Sequence, residues 1–404
     1  MRIAVTANGP GEVAGWLRPL LRSLYKRAPA TEAYVFLVPD DYATGFEART
    51  VREFFPQARA YDPKTYLQFA FGRRVDGVPE RVDVVQYAGG DLLHAARLHA
   101  RLKGKTATYK FSRKGYRKLF DRAFAVDRKN VEQLEAWGTP PERIVRIGNL
   151  AIDGALLEAQ APLEPGTPHD GILVMPGSRS YEVENLIPFY FTAALRIRHE
   201  RPDLPIAFGI SPFTAPAQVR DAIERGGDPR VFAARGRLVV EDERSYVESL
   251  DGGVRFPILF NALAAAKRAR LVLTIPGTKT IELAALGKPA ITITPLNAPE
   301  LITFNGPLTY LHRIPLIGVP LKRAVAVGVS RRFEYHTQPN MDAGAMLDWE
   351  VHGTVTPGRI ARVALERYDD AAWIESSGKR LAALYSDHVG AADRMAESLL
   401  DLAG

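Results

Sequence analysis

The sequence predicts an α/β protein built as two doubly wound, parallel-sheet domains facing a cleft, and three observations predict it. Short apolar runs rich in β-branched and aromatic residues alternate with amphipathic stretches, the mark of strand–helix–strand units. A break from Ala159 to Gly171, crowded with Pro162, Pro165, Gly166 and Pro168, interrupts the alternation, which then restarts. The chain has 404 residues, too many for one ordinary core and about right for two.

Before the break, apolar runs predict strands over 3–7, 33–38, 82–87, 106–111, 123–126 and 144–147. Helical patterns lie between them, at 16–27 and at 130–138, where Gly138-Thr139-Pro140-Pro141 stops the helix. After the break, strands are expected over 171–175, 206–210, 271–275 and 290–294, with helices over 183–199 and 280–286. The tail from Pro357 to Gly404 reads as helical throughout. The expected domains are therefore 1–160 and 161–370, with helices over 371–404 that can cross back to the first. In such sheets ligands bind outside the carboxyl ends of the strands, so the loops there are where chemistry is sought.

Composition narrows the classes. Hydrophobic residues make up 46% and charged residues 25%, which excludes a disordered, collagenous or coiled-coil chain. A net charge of +7 favours anionic partners such as nucleotide phosphates or acidic lipid. There is no cysteine, which removes disulfides, thiolate nucleophiles and Cys-ligated zinc. The opening apolar run reaches Asn8-Gly9-Pro10-Gly11 too soon for a signal-peptide core, and no apolar stretch approaches the ~20 residues that span a bilayer. The expected location is the cytoplasm, with peripheral attachment to the inner face of the membrane.

Four loops can carry chemistry. The first, Asn8-Gly9-Pro10-Gly11-Glu12, follows the first strand and opens a helix, where glycines admit a ligand and the helix end favours anions. With Ala14 it also fits a dinucleotide fingerprint, for which Asp40-Asp41 would supply the ribose acid; a tight turn needing glycine is the plain alternative. The second, Met175-Pro176-Gly177-Ser178-Arg179, runs a strand into a helix start, where Ser178 and free amides can hold phosphate and Arg179 adds a forked donor. Its plain alternative is Ser178 as a simple N-cap with Glu182 near a capping-box position. The third, Pro276-Gly277-Thr278-Lys279-Thr280-Ile281-Glu282, repeats that design and places Glu282 in the first helical turn, where it can accept ribose hydroxyls or simply complement the helix dipole. Two such loops in one domain suggest one nucleotide held between them.

The fourth loop, Ala88-Gly89-Gly90-Asp91, sets an acid after a strand, where Asp91 can take a proton from an attacking hydroxyl or cap the following helix. His94 is a less specific candidate beside it. Phosphate-loop, nucleophile-elbow and zinc-protease motifs are absent, the eight histidines are scattered, and no Asp-x-Asp pair presents itself for a metal–diphosphate. No metal or cofactor is expected, and arginine, helix ends and amides must then take the charge of a departing diphosphate. From Arg101 to Arg122 there are nine Lys/Arg and one acid, interleaved with aromatics, after an aromatic stretch at 65–71. That pattern suits an anionic membrane surface or an acidic acceptor better than nucleic acid, the solvated face being the plain alternative.

In this order along the chain the motifs resemble those of the lipid-A-disaccharide synthase family, inverting glycosyltransferases of the GT-B arrangement. Gly11-Glu12-x-Ala14-Gly15 is similar to the family's Gly-Glu-x-Ser-Gly-Asp, and Gly90-Asp91-Leu92-Leu93 falls where the family has Pro-Asp-Phe-Asn. Gly148-Asn149 through Asp153 is similar to a Gly-His-x-x-x-Asp segment. Pro176-Gly177-Ser178-Arg179-x-x-Glu182-Val183 and Gly277-Thr278-x-Thr280-x-Glu282 are similar to donor-side motifs, and Gln338-Pro339-Asn340 with Trp349-Glu350 resembles a further donor-side stretch. The resemblance implies a UDP-sugar donor of the N-acetylglucosamine type, Asp91 as general base and a lipid-linked acceptor. It implies donor binding by Ser178, Arg179, Gly277, Thr278, Glu282, Asn340 and Glu350, and acceptor or phosphate contacts by Gly9, Gly11 and Glu12. Ala14-Gly15-Trp16, Asn149 and the basic segment around Tyr109 depart from the family pattern, all on the acceptor side. Two alternatives are a UDP-sugar epimerase on the same fold and a non-catalytic nucleotide- or membrane-binding module.

Overall fold

The structure, a computed structural model, describes residues 1–39, 45–109, 118–212, 214–299 and 318–404. The chain divides into two compact units, Met1–Leu157 with Asp387–Gly404, and Glu158–Ser386.

In the first unit, strands β1 (Arg2–Ala7), β2 (Glu32–Leu37), β3 (Arg59–Tyr61), β4 (Val84–Tyr87), β5 (Lys105–Tyr109), β6 (Arg122–Ala125) and β7 (Ile144–Arg146) form one sheet in the order β3-β2-β1-β4-β5-β6-β7. Every pairing is parallel. Helices cover both faces, which is why β1 and β2 read as continuous apolar runs rather than alternating ones. One face packs on Leu17, Leu20, Leu21 and Leu24 together with Ala391, Met395 and Leu399 of the helix Ala391–Ala403. The other packs on Tyr66, Phe69 and Leu98. The chain winds outward from β1 to β3 and then returns to β4 on the opposite side of β1, so the order reverses between β1 and β4.

The second unit repeats this winding. Its strands are β8 (Ile172–Val174), β9 (Ile206–Gly209), β10 (Gly236–Glu241), β11 (Arg244–Ser249), β12 (Arg255–Leu259), β13 (Leu271–Thr274), β14 (Ala290–Pro295) and β15 (Trp349–Gly353), in the order β10-β11-β12-β9-β8-β13-β14-β15. From β12 to β15 the pairing is parallel, and β10 and β11 extend it as an antiparallel edge. Reversal falls between β8 and β13. The helix Ser180–Glu200 lays Ile187, Tyr190, Ala194 and Ile197 against the sheet beside Ile360, Ala361 and Ala364 of the helix Pro357–Asp369.

Every strand expected from the sequence is present, shifted by a residue or two at its ends, residues 110 and 111 of the strand expected over 106–111 lying outside the described residues, and β3, β10, β11, β12 and β15 are additional. Within the helical tail, Ala371–Leu384 belongs to the second unit and Ala391–Ala403 to the first. Asp153 fixes the latter, accepting from the amides of Gly390 at 2.8 Å and Ala392 at 2.6 Å, where the helix begins. The helical path after β1 opens with an α-turn, Pro10–Glu12, and continues as a π-helix, Val13–Leu17, whose Gly15 meets the helix Leu150–Glu158. A β-carbon on Gly154 would stand 2.9 Å from both the α-carbon and the carbonyl oxygen of Gly15, so these two glycines allow backbone to touch backbone.

Candidate functional site

The second sheet places five of the seven expected donor-side residues, Ser178, Arg179, Gly277, Thr278 and Glu282, where its winding reverses, while Asn340 and Glu350 lie at its β15 edge. β8 and β13 are neighbours, in register from Leu271 opposite Ile172 to Leu273 opposite Val174. The loop after β8 carries Gly177-Ser178-Arg179, and the loop after β13 carries Gly277-Thr278 into the helix Thr278–Ala285. Both glycines adopt positive φ, +107° and +155°. Nothing lies within 4 Å of a β-carbon built on Gly277, so a ligand can approach the backbone there. Parallel strands that end side by side at a reversal, each feeding a helix amino end, make an anion-binding crevice.

One expectation is corrected here. The amide of Ser178 does not await a phosphate: it donates to Glu182 Oε2 at 2.8 Å, and the Arg179 amide donates to the same oxygen at 2.9 Å. Glu182 thus closes the helix end as the capping alternative expects, but with Arg179 rather than Ser178 as the N-cap, and Gly177 lacks the β-carbon that would strike the Glu182 carboxylate. What the loop offers outward is the exposed Ser178 hydroxyl and the Arg179 guanidinium, whose Nη1 stands 3.8 Å from Glu182 Oε1. Glu282 is buried and pairs with Lys279 Nζ at 2.7 Å. Partial burial opposes the ammonium charge of Lys279, but Glu282 and Glu158 outweigh it and raise its pKa.

Asn340 is a second correction. It is fully buried, and its side chain is engaged on every side: Nδ2 donates to the Asp348 carbonyl and to Glu350 Oε1, while Oδ1 accepts from the amides of Leu347 and Asp348. A side chain so occupied clasps the turn after the helix Gln338–Ala343 to β15 and leaves nothing for a donor. Glu350, its partner on β15, accepts in addition from His336 N at 2.8 Å and from the Thr337 amide and hydroxyl at 2.9 Å each. Burial alone would raise its pKa, but the His336 side chain, first, and these donors bring it down to about 2.

In the first sheet Gly9, Gly11 and Glu12 follow β1, and Asp91 follows its neighbour β4. Loops after the neighbouring β1 and β4 hold them, and a β-carbon on Gly89 would lie 3.2 Å from the Asn8 amide. Asp91 is exposed and caps the helix Leu92–Leu102, its Oδ1 accepting from Leu93 N at 2.9 Å. That bond fixes the carboxylate at the end of β4. His94, one turn on, has Nδ1 2.7 Å from the hydroxyl of buried Tyr66. Burial lowers its pKa, Asp91 raises it and Arg97 lowers it, with a net lowering.

Sequence reasoning missed Tyr66, His336 and His352, because each becomes visible only when distant segments meet. The histidines are scattered in sequence, yet the fold brings two of them to Glu350. Of the basic segment, residues 110–117 lie outside the described residues, as do Asp40 and Asp41. Its flanks are anchored: Arg122 donates to the Ser398 carbonyl and hydroxyl, and Arg101 lies over Phe69 at 4.8 Å. Phe71 is 71% exposed beside Arg97, 4.9 Å from its ring. Among the described residues no helix is long and apolar enough to cross a membrane.

No family model matches the chain. Solved structures match it nearly end to end. A Staphylococcus aureus MnaA–UDP structure aligns over 99% of this chain and 97% of its own, at TM-score 0.59 and 15% identity. A UDP-GlcNAc 2-epimerase from Neisseria meningitidis, bound to UDP-GlcNAc, aligns over 99% and 100%, at 0.55 and 12%. The glycotransferase of kitacinnamycin aligns over 99% and 98%, at 0.53 and 15%. The fold is GT-B. A curated relative, the lipid-A-disaccharide synthase of Ruegeria pomeroyi, is 29% identical over 120 residues, which are 30% of this chain and 26% of that protein. The chain thus matches about a quarter of that relative's length.

Proposed function

We propose that the protein transfers a sugar of the N-acetylglucosamine type, with inversion, from a UDP donor to a hydroxyl of a lipid-linked acceptor, after the manner of lipid-A-disaccharide synthase. The observation that carries this reading is the pair of glycine-turned loops at the ends of neighbouring β8 and β13, with Arg179 and Thr278 at their mouths. The partial likeness to the synthase supports the choice of reaction.

In this reading Arg179 meets the negative charge that builds on the leaving diphosphate. The helix end at Gly277 and Thr278 adds amides to it, and the Ser178 hydroxyl adds a further donor. Glu282 holds the ribose hydroxyls and shares its charge with Lys279. Asp91, fixed by its cap bond, removes the proton from the attacking acceptor hydroxyl. Gly9, Gly11 and Glu12 border the acceptor. The leaving group is stabilised without a metal ion.

Calorimetry of the purified chain with UDP, UDP-N-acetylglucosamine and NAD, without added metal, tests the donor side. UDP binding weakened about tenfold or more in Arg179→Ala is expected; preference for NAD or indifference to UDP would remove the reading. The runner-up is a UDP-sugar epimerase, favoured by the end-to-end fold likeness to such an enzyme. Proton NMR of the chain with UDP-N-acetylglucosamine alone separates the two, since an epimerase inverts carbon 2 with no acceptor present.

A further inference from the structure

We propose that His336, Glu350 and His352 form a binding site for a divalent transition-metal ion of the zinc type. One ring nitrogen of each histidine and one carboxylate oxygen of Glu350 lie within 4.8 Å of one another. His336 Nδ1 is 3.4 Å and His352 Nε2 is 3.9 Å from Glu350 Oε2, and the two imidazole rings face each other with centroids 4.1 Å apart. A zinc ion bonded at roughly 2.0–2.2 Å holds its ligand atoms ~3.3 Å apart. The two separations to Glu350 lie close to that, and the two ring nitrogens, within 4.8 Å of each other, must draw together to reach it.

The backbone prepares the three groups. Glu350 and His352 are two residues apart on β15 and therefore share one face of the strand. His336 sits in the turn that leads into the helix Gln338–Ala343. The carboxylate is oriented as a metal ligand should be. Thr337 and Asn340 bond to Oε1, and Oε2 takes one amide, from His336, on the side where the rings gather.

Imidazole nitrogens choose zinc-like ions over magnesium or calcium, which prefer all-oxygen sites. Three protein ligands leave a fourth position, and the His352 side chain is 34% exposed, which opens a path for ion and water. The site lies on the last strand of the sheet, with β14 between it and β13, so it is separate from the leaving-group role given above to Arg179 and Thr278. Its occupation would tie the turn at His336 to the sheet edge.

The test uses the full chain without a histidine tag, treated with chelator and dialysed. Calorimetric titration with Zn²⁺ is expected to show one ion per chain, and Mg²⁺ none. Titration with Co²⁺ is expected to give visible absorption bands of an imidazole-ligated ion. His336→Gln and His352→Gln should each weaken Zn²⁺ binding about 100-fold, and Thr337→Val, which disturbs only the orientation of Glu350, about tenfold. His169→Gln, at an exposed site, should leave binding unchanged. Zn²⁺ binding as tight in the double His336→Gln/His352→Gln variant as in the parent overturns the proposal. So does a parent chain that takes up neither Zn²⁺ nor Co²⁺, a result that needs no variant to fold.

Discussion

At the scale of single residues, burial decides which polar groups hold the structure and which face outward. Gly154 shows the first kind. Gly154→Ala would push a methyl group onto the backbone of Gly15, and a loss of about 1–3 kcal/mol in urea denaturation is expected. His94 supplies a pH dependence. Its folded pKa lies below the ordinary value because burial disfavours the charged ring, so the unfolded chain binds the extra proton. The stability it contributes is present above its ordinary pKa of about 6.5 and is lost as pH falls through the lower folded value. Denaturation midpoints measured from pH 7.5 down to pH 5 should fall less steeply in His94→Gln than in the parent chain. The corrections at Ser178 and Asn340 have a common cause. Sequence shows that a residue can donate or accept, but only the fold shows that Glu182 or the Asp348 carbonyl has already claimed it.

At the scale of elements, the parallel core strands are legible because strands buried on both faces must be apolar along their length, as in β1, β2, β8 and β13. What stays illegible lies at the edges. β10, β11 and β12 carry Arg237, Glu241, Arg244, Glu248 and Arg255, whose ion pairs form only after the strands align, as Arg237 with Glu248 at 2.7 Å and Arg255 with Glu241 at 2.7 Å. β15 hides behind Glu350 and His352, polar residues that a strand pattern rejects and that the turn at Thr337 makes tolerable. The loops after β8 and β13 are legible as glycine turns at strand ends, while the histidine cluster is not, since fifteen residues of chain lie between His336 and His352. The cap on the final helix gives the prediction at this scale. Asp153→Ala removes the acceptor of two amides at the start of Ala391–Ala403, and a loss of about 1–2 kcal/mol is expected, read as a lower thermal midpoint.

At the scale of the whole molecule, the first unit is assembled from two distant parts of the chain. Ala391, Met395 and Leu399 complete its core against Leu20 and Leu24, and Arg122 donates to Ser398 from β6. A chain ended at Ser386 should lose hydrogen-exchange protection throughout β1, β4 and β5 while the amides of β8, β9 and β13 keep theirs. Mass spectrometry of exchanged peptides checks this, and equal loss in both sheets would show that the units do not stand separately. The same discontinuity has a bearing on how the protein is made. The ribosome delivers the first sheet early, then the whole of Glu158–Ser386, which takes roughly 10–45 s at the usual speed of synthesis. Throughout that interval the apolar face that Ala391–Ala403 will cover has no cover of its own. The first sheet to be translated is therefore the last to be finished, because the helix that covers it emerges only after the second unit is complete.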